Sequence, residues 1–173
     1  SNGAITIVGG GSGVGKTTLM LNMLLNMIRM YPNKVFIFFS YEESAKMLIF
    51  KLINIVAGVE LNEASNTRAI RQHLKETPQD KWNPKIVAAV NELDALSKSK
   101  RLWIVDKDYE VNELVGVINK LKESYDIGAV FIDYIQKIQI KEQCESNQQR
   151  LKRISEIIRL NTQQLDLAVI IGS

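Results

Sequence analysis

Apolar residues along this chain fall into short unbroken runs, set between longer stretches in which they recur every three to four positions. Residues 4–8, 35–39, 102–105, 129–133 and 167–171 are runs of the first kind. They are too short for helices and rich in Val, Ile and Phe, so they predict five buried strands. The run Val35-Phe36-Ile37-Phe38-Phe39 is apolar throughout, as a strand covered on both sheet faces should be, and is expected in the sheet interior. The periodic stretches predict helices. One covers 16 to about 30, where Tyr31-Pro32-Asn33 stops it. A second starts after Ser44 as N-cap, carries Met47, Leu48, Leu52, Ile55 and Val56, and ends near Gly58. A third covers 111–124. A fourth, 148–165, puts Leu151, Ile154, Ile158 and Leu165 on one face and Lys152, Glu156, Arg159 and Gln163 elsewhere. Between residues 62 and 100 a polar stretch of helical pattern, broken at Pro78 and Pro84, yields no definite elements.

Strands alternating with helices imply an α/β fold with a mostly parallel, doubly wound sheet. At 173 residues, 46% of them hydrophobic, the chain fits one domain with a sizeable core. Cys144 is the single cysteine, which rules out an internal disulfide and a Cys-rich metal site and suits a reducing compartment. No apolar run has the length of a membrane span, and the first residues lack a signal-peptide pattern, so a cytoplasmic protein without a membrane partner is expected. Both ends read as cut: Ser1-Asn2 resemble an appended leader, and the last apolar run stops abruptly at Gly172-Ser173. The net charge of +3, from 22 Lys+Arg against 19 Asp+Glu, does not by itself indicate nucleic acid.

Chemistry enters at the glycine cluster. Gly10-Gly11-Ser12-Gly13-Val14-Gly15-Lys16-Thr17 fits G-x-x-x-x-G-K-[ST] and lies between a predicted strand and a predicted helix. Glycines let the backbone wrap a phosphate chain, so that N–H groups and the positive helix end face the anion. Lys16 is expected at the β and γ phosphates of ATP, the Thr17 hydroxyl on Mg²⁺, and Thr18 as a further phosphate contact.

Such a site needs carboxylates. Asp133, ending Val130-Phe131-Ile132, is the candidate for holding the magnesium shell, with Asp106 after residues 102–105 as its rival. Glu42 and Glu43 directly follow the second strand; Glu42 is the candidate for activating water, with Glu43 in support, and both also suit the first turn of the following helix.

The order of three segments, Gly10 to Thr17, then Phe39-Ser40-Tyr41-Glu42-Glu43-Ser44, then Val130-Phe131-Ile132-Asp133-Tyr134-Ile135-Gln136, resembles the DnaB-type replicative helicases over nearly the whole chain. The resemblance implies a RecA-like P-loop ATPase core and an ATP-hydrolysing motor that moves on single-stranded DNA. In the full-length parent it implies a homo-oligomeric, hexameric ring that works with other replication proteins. It maps Glu42 to the water-activating glutamate and Gln136 to a polar group linking the nucleotide to the DNA-facing loops; a Gln at a strand end also bonds its own loop readily. The family's P-loop commonly reads Gly-Arg-Pro-Ser-x-Gly-Lys-Thr, and the sequence here is more generic. Its arginine finger would lie beyond Ser173, so the piece alone is expected to hydrolyse ATP weakly.

Tyr41-Glu42-Glu43-Ser44 is also similar to the paired glutamates of KaiC-type ATPases. A KaiC-like or recombinase-like ATPase, and a non-catalytic ATP-dependent assembly platform, are the alternatives. Lys137, Lys141, Arg150, Lys152 and Arg153 follow the Asp133 strand and are candidate DNA-phosphate contacts, although Glu142 and Glu145 among them also suit a solvated surface. His73 has no ligand partners in sequence and is expected on the surface. Met20, Met23, Met27 and Met30 form a stripe expected to pack on the sheet.

Overall fold

The structure, a computed structural model, describes residues 3–11, 15–58 and 66–173. Its strands are β1 (Ile5–Val8), β2 (Val35–Ser40), β3 (Leu102–Val105), β4 (Ile127–Asp133) and β5 (Val169–Gly172). They form one sheet in the order β1-β5-β4-β2-β3, and every pairing is parallel. The helices are α1 (Lys16–Met30), α2 (Ala45–Ala57), α3 (Asn66–Glu76), α4 (Pro84–Lys98), α5 (Val111–Ser124) and α6 (Asn147–Gln164).

Period-two alternation sorts the strand residues between two cores. Phe36, Phe38, Ala129 and Phe131 pack with α1, α2 and α4, and the rings of Phe38 and Phe131 stack at 5.9 Å. Val35, Ile37, Phe39, Val130 and Ile132 pack with Leu114 and Ile118 of α5 and Ile154 and Ile158 of α6. All six residues of β2 are therefore buried, and the strand lies between β4 and β3, inside the sheet as its unbroken apolar run predicts.

Helix ends follow their capping chemistry. The Ser44 hydroxyl accepts from Met47 N, and α2 closes at Gly58 with φ 58°. Glu110 and Glu113 form a capping box at α5, and Ser146 caps α6. In the stretch without definite elements, Pro84 begins a helix: it occupies the first turn of α4 while the Asn83 side chain accepts from Lys85 N at 2.9 Å. Trp82 Nε1 donates to Thr77 O, tying the turn between α3 and α4, and both helices pack on α2. Few apolar residues mark α3, where Ile70 is fully buried, so its periodicity is faint in sequence.

Two expectations are corrected. The buried stripe of α1 is Met20, Leu21, Leu24, Leu25 and Ile28; Met23 and Met27 lie at its margin and Met30 is 68% exposed, because the sheet meets the leucine side of the helix. His73 is half-buried, not a surface residue, with Nδ1 at 3.3 Å from the Thr77 hydroxyl and Nε2 enclosed without a partner. Among the described residues, no helix is long and apolar enough to cross a membrane.

The chain runs from β1 across to β2 and β3, then returns to β4 and β5. Parallel pairing puts the C-terminal ends of all five strands on one rim, where ligands of open α/β sheets bind.

Candidate functional site

On that rim, β1 gives way to Gly9–Gly11, and the chain enters α1 through Gly15, whose φ of 82° lies in the left-handed region that favours glycine. Among the described residues no side chain caps α1, so its first amides remain directed outward. Lys16 Nζ donates to Ser173 O at 3.0 Å and sits 5.3 Å from the centre of the Tyr134 ring. Gly10 N donates to the same carbonyl at 3.2 Å. The end of β5 thus holds the lysine and the loop together.

One strand further in, Asp133 ends β4 with 1% of its surface exposed. Its Oδ2 accepts from Thr17 Oγ1 at 2.6 Å, while Oδ1 is buried without a partner. Tyr41 N donates to Asp133 O at 2.7 Å, which fixes the backbone. Burial pushes the Asp133 carboxyl above the usual aspartate range. The Thr17 hydrogen bond opposes this shift, nearby Glu43 adds to it, and Lys16 and Lys51 oppose it. Room for the carboxylate exists because residue 172 is glycine: a Cβ there would stand 2.9 Å from Asp133 Oδ1 and 3.1 Å from Met20 Sδ.

These groups open on a cleft of about 670 Å³ lined also by Thr18, Glu42, Glu43, Lys51 and Gln136. Glu42 is exposed, with no hydrogen-bond partner among the described residues. Glu43 forms an ion pair with Lys51, and Ser40 grips its backbone, accepting from Glu43 N and donating to Glu43 O. Gln136 Nε2 donates across to Ser173 Oγ at 3.0 Å, and its Oε1 is enclosed without a partner. A buried carboxylate oxygen without a partner beside a threonine hydroxyl, within reach of a lysine, is a donor set suited to a hard cation carried by a phosphate chain.

Comparison with known proteins decides the family: the model of the DnaB-like helicase C-terminal domain matches residues 1–173. The chain belongs to this family. The chain is similar to the replicative DNA helicase DnaB of Helicobacter pylori strain 26695, at 24% identity over 172 residues, covering 98% of this chain and 32% of that protein. It is likewise similar to DnaB of Geobacillus stearothermophilus, at 29% identity, covering 96% and 34%. The DnaB-like domain thus spans about a third of the length of the curated relatives it matches. Among solved structures, one determined as an isolated ATPase domain superposes with a TM-score of 0.79 at 21% identity, covering 99% of this chain and 57% of that one. A DnaB-like replicative helicase, solved for its interactions with primase, superposes with a TM-score of 0.81 at 21% identity, covering 99% and 38%. The fold is the expected RecA-like α/β arrangement.

Within this DnaB-like domain the structure gathers Gly10, Gly15, Lys16, Thr17, Thr18, Glu42 and Gln136 around one cleft, with Asp133 beneath it. Gly11 lies on the adjoining loop, fully open around its Cα, and Ser12, Gly13 and Val14 lie outside the described residues. Asp106 is placed elsewhere: its Oδ2 accepts from Ala45 N at 2.8 Å, holding the start of α2. Arg150 is turned inward, donating to Ile138 O at 2.6 Å and Gln136 O at 2.9 Å, and Arg153 is paired with Glu142 and Glu156. Lys137, Lys141 and Lys152 are exposed. Lys51, Gly172 and Ser173 belong to the site and carry no motif. The one sequence signal for Lys51 is its place two helical turns beyond Ser44, facing back toward Glu43.

Proposed function

We propose that this chain is the ATP-binding and hydrolysing motor domain of a replicative helicase that translocates on single-stranded DNA. The observation that carries the reading is the 2.6 Å contact of Thr17 Oγ1 with Asp133 Oδ2, made in the same cleft as Lys16. Gly10 to Gly15 would wrap the phosphates, with Ser12, Gly13 and Val14 supplying part of the turn, and Lys16 would leave the Ser173 carbonyl for the β and γ oxygens. Thr18 adds a phosphate contact at the cleft wall.

Thr17 and Asp133 would hold Mg²⁺, which when bound neutralises charge on the β and γ phosphates. Among the described residues no group of three or more His, Cys, Asp or Glu could hold a metal ion, so phosphate and water oxygens would complete the shell. Glu42 faces the cleft without a partner and would orient the water that attacks the γ phosphorus, taking its proton as the bond to the β-bridging oxygen breaks. Gln136, bridged to Ser173, would relay the nucleotide state to the turn Ile135–Lys137. Glu43 is engaged by Lys51, which supports one water-activating carboxylate over the paired glutamates of a KaiC-like ATPase.

Single-stranded DNA, further copies of this chain in a hexameric ring and other replication proteins are the partners this reading implies, in the cytoplasm. The test is ATP hydrolysis by the full-length protein with and without single-stranded DNA, using Lys16→Ala as the blank. Strong stimulation by DNA is the expected result. Slow turnover indifferent to DNA would transfer the proposal to the KaiC-like reading, and Mg·ATP binding unchanged by Lys16→Ala would remove the site.

A further inference from the structure

Lys51 and Glu43 form a contact ion pair inside the cleft, each with a quarter of its side-chain surface exposed. Such a pair is hard to explain as a structural brace. Ser40 already holds the Glu43 backbone through both its N–H and its carbonyl, and α2 is anchored by the Ser44 cap, by Asp106 and by buried Leu48 and Leu52. Partly exposed ion pairs contribute little to stability, because water competes for both charges. The side chains can therefore separate while the backbone and helix beneath them stay in place.

A terminal phosphate in this cleft would be a stronger partner for Lys51 than one carboxylate. It carries up to two charges on three oxygens, and an ammonium binds it as a compact point charge. Lys51 comes from α2, the helix that follows Glu42, so it belongs to the side of the site assigned to the attacking water. Lys16, from the loop side, stays on the chain of β and γ oxygens.

We propose that Lys51 senses the terminal phosphate: it exchanges Glu43 for the γ-phosphoryl group of a bound nucleoside triphosphate and stays on Glu43 when the ligand is a diphosphate. Glu43 is then a competing internal anion that holds Lys51 back and sets the discrimination between the two nucleotides. This rests on the nucleotide-binding reading of the cleft.

The experiment titrates the full-length protein with a fluorescent non-hydrolysable ATP analogue and with the matching fluorescent ADP, both with magnesium. Lys51→Met should weaken the triphosphate on the order of tenfold, the size of one charge-assisted contact, and leave the diphosphate within about twofold. Lys51→Arg should restore the difference. Glu43→Gln should act in the opposite direction and tighten the triphosphate, because it releases Lys51. A structural pair would respond alike to loss of either member, so parallel weakening by Lys51→Met and Glu43→Gln overturns the proposal. An equal effect of Lys51→Met on both nucleotides, or none, overturns it as well. Lys16→Ala separates the two readings: if it leaves both nucleotides bound as before, the cleft itself is misassigned.

Discussion

Thr17 Oγ1 donates a 2.6 Å hydrogen bond to Asp133 Oδ2, joining the first turn of α1 to the end of β4 across 116 residues of chain. The contact spans the width of β5, which lies between β1 and β4. It brings a hydroxyl to a carboxylate that is otherwise stripped of water, and the balance between burial and this one bond shapes how the site responds to pH.

Burial raises the Asp133 carboxyl, so the folded protein holds that proton more tightly than the unfolded chain does. For a raised carboxyl, protonation favours the folded state, and the stability of the group falls as pH rises from the ordinary aspartate range through the raised value. Asp133→Asn removes the titration. In magnesium-free buffer, the stability of the wild type relative to Asp133→Asn should fall from roughly pH 4 upward and level off toward roughly pH 8, as read from urea unfolding. A difference that does not change with pH would show that Asp133 is not held above its ordinary range.

Glu42→Gln should leave Mg·ATP affinity within about twofold and lower hydrolysis by roughly 10²–10⁴-fold, the range for losing a positioned base. Nucleotide titration and steady-state phosphate release on the same preparation separate the two effects. Hydrolysis unaffected by the substitution would remove Glu42 from the reaction.

Gly172→Ala places a methyl group 2.9 Å from Asp133 Oδ1 and 3.1 Å from Met20 Sδ. Crowding of this kind costs about 1–3 kcal/mol in a packed interior. Because the displaced group is the carboxylate under the cleft, Mg·ATP affinity should fall along with the unfolding midpoint. Denaturant melts and nucleotide titration check both; a variant as stable as wild type would show that the Asp133 side chain gives way freely.

Arg150→Ala removes the donors on Ile138 O and Gln136 O, leaving partly buried carbonyls bare, at an expected cost of about 1–3 kcal/mol. Arg150→Lys should not recover it, since one ammonium cannot reproduce the planar fork. Thermal unfolding of the three proteins measures this. If Arg150→Ala instead reduced DNA affinity with no loss of stability, the side chain would be a DNA contact.

Much of the architecture is readable from local pattern. α1 and α5 span the predicted residues, β2 extends its run by one position to Ser40, and α6 begins one residue early because Ser146 is its cap. The polar stretch is opaque for a physical reason: α3 and α4 bury few large side chains of their own and are held by packing on α2, so Pro84 reads as a break although it starts a helix. The methionine stripe misleads for a related reason, since helical spacing marks several apolar faces and the sheet covers only one of them.

Short-range spacing is enough to specify the strands, the helices, the phosphate-binding loop and the carboxylates at strand ends, because each depends on residues a few positions apart. The order β1-β5-β4-β2-β3, the Ser173 carbonyl under Lys16, the glycine that makes room for Asp133 and the Lys51–Glu43 pair emerge only in the folded chain. Strand order is set by how helices cover both faces of the sheet, and no local pattern records which strand ends then meet. Contacts such as Thr17 to Asp133 and Lys16 to Ser173 span more than a hundred residues and exist only once β5 has come to lie between β1 and β4.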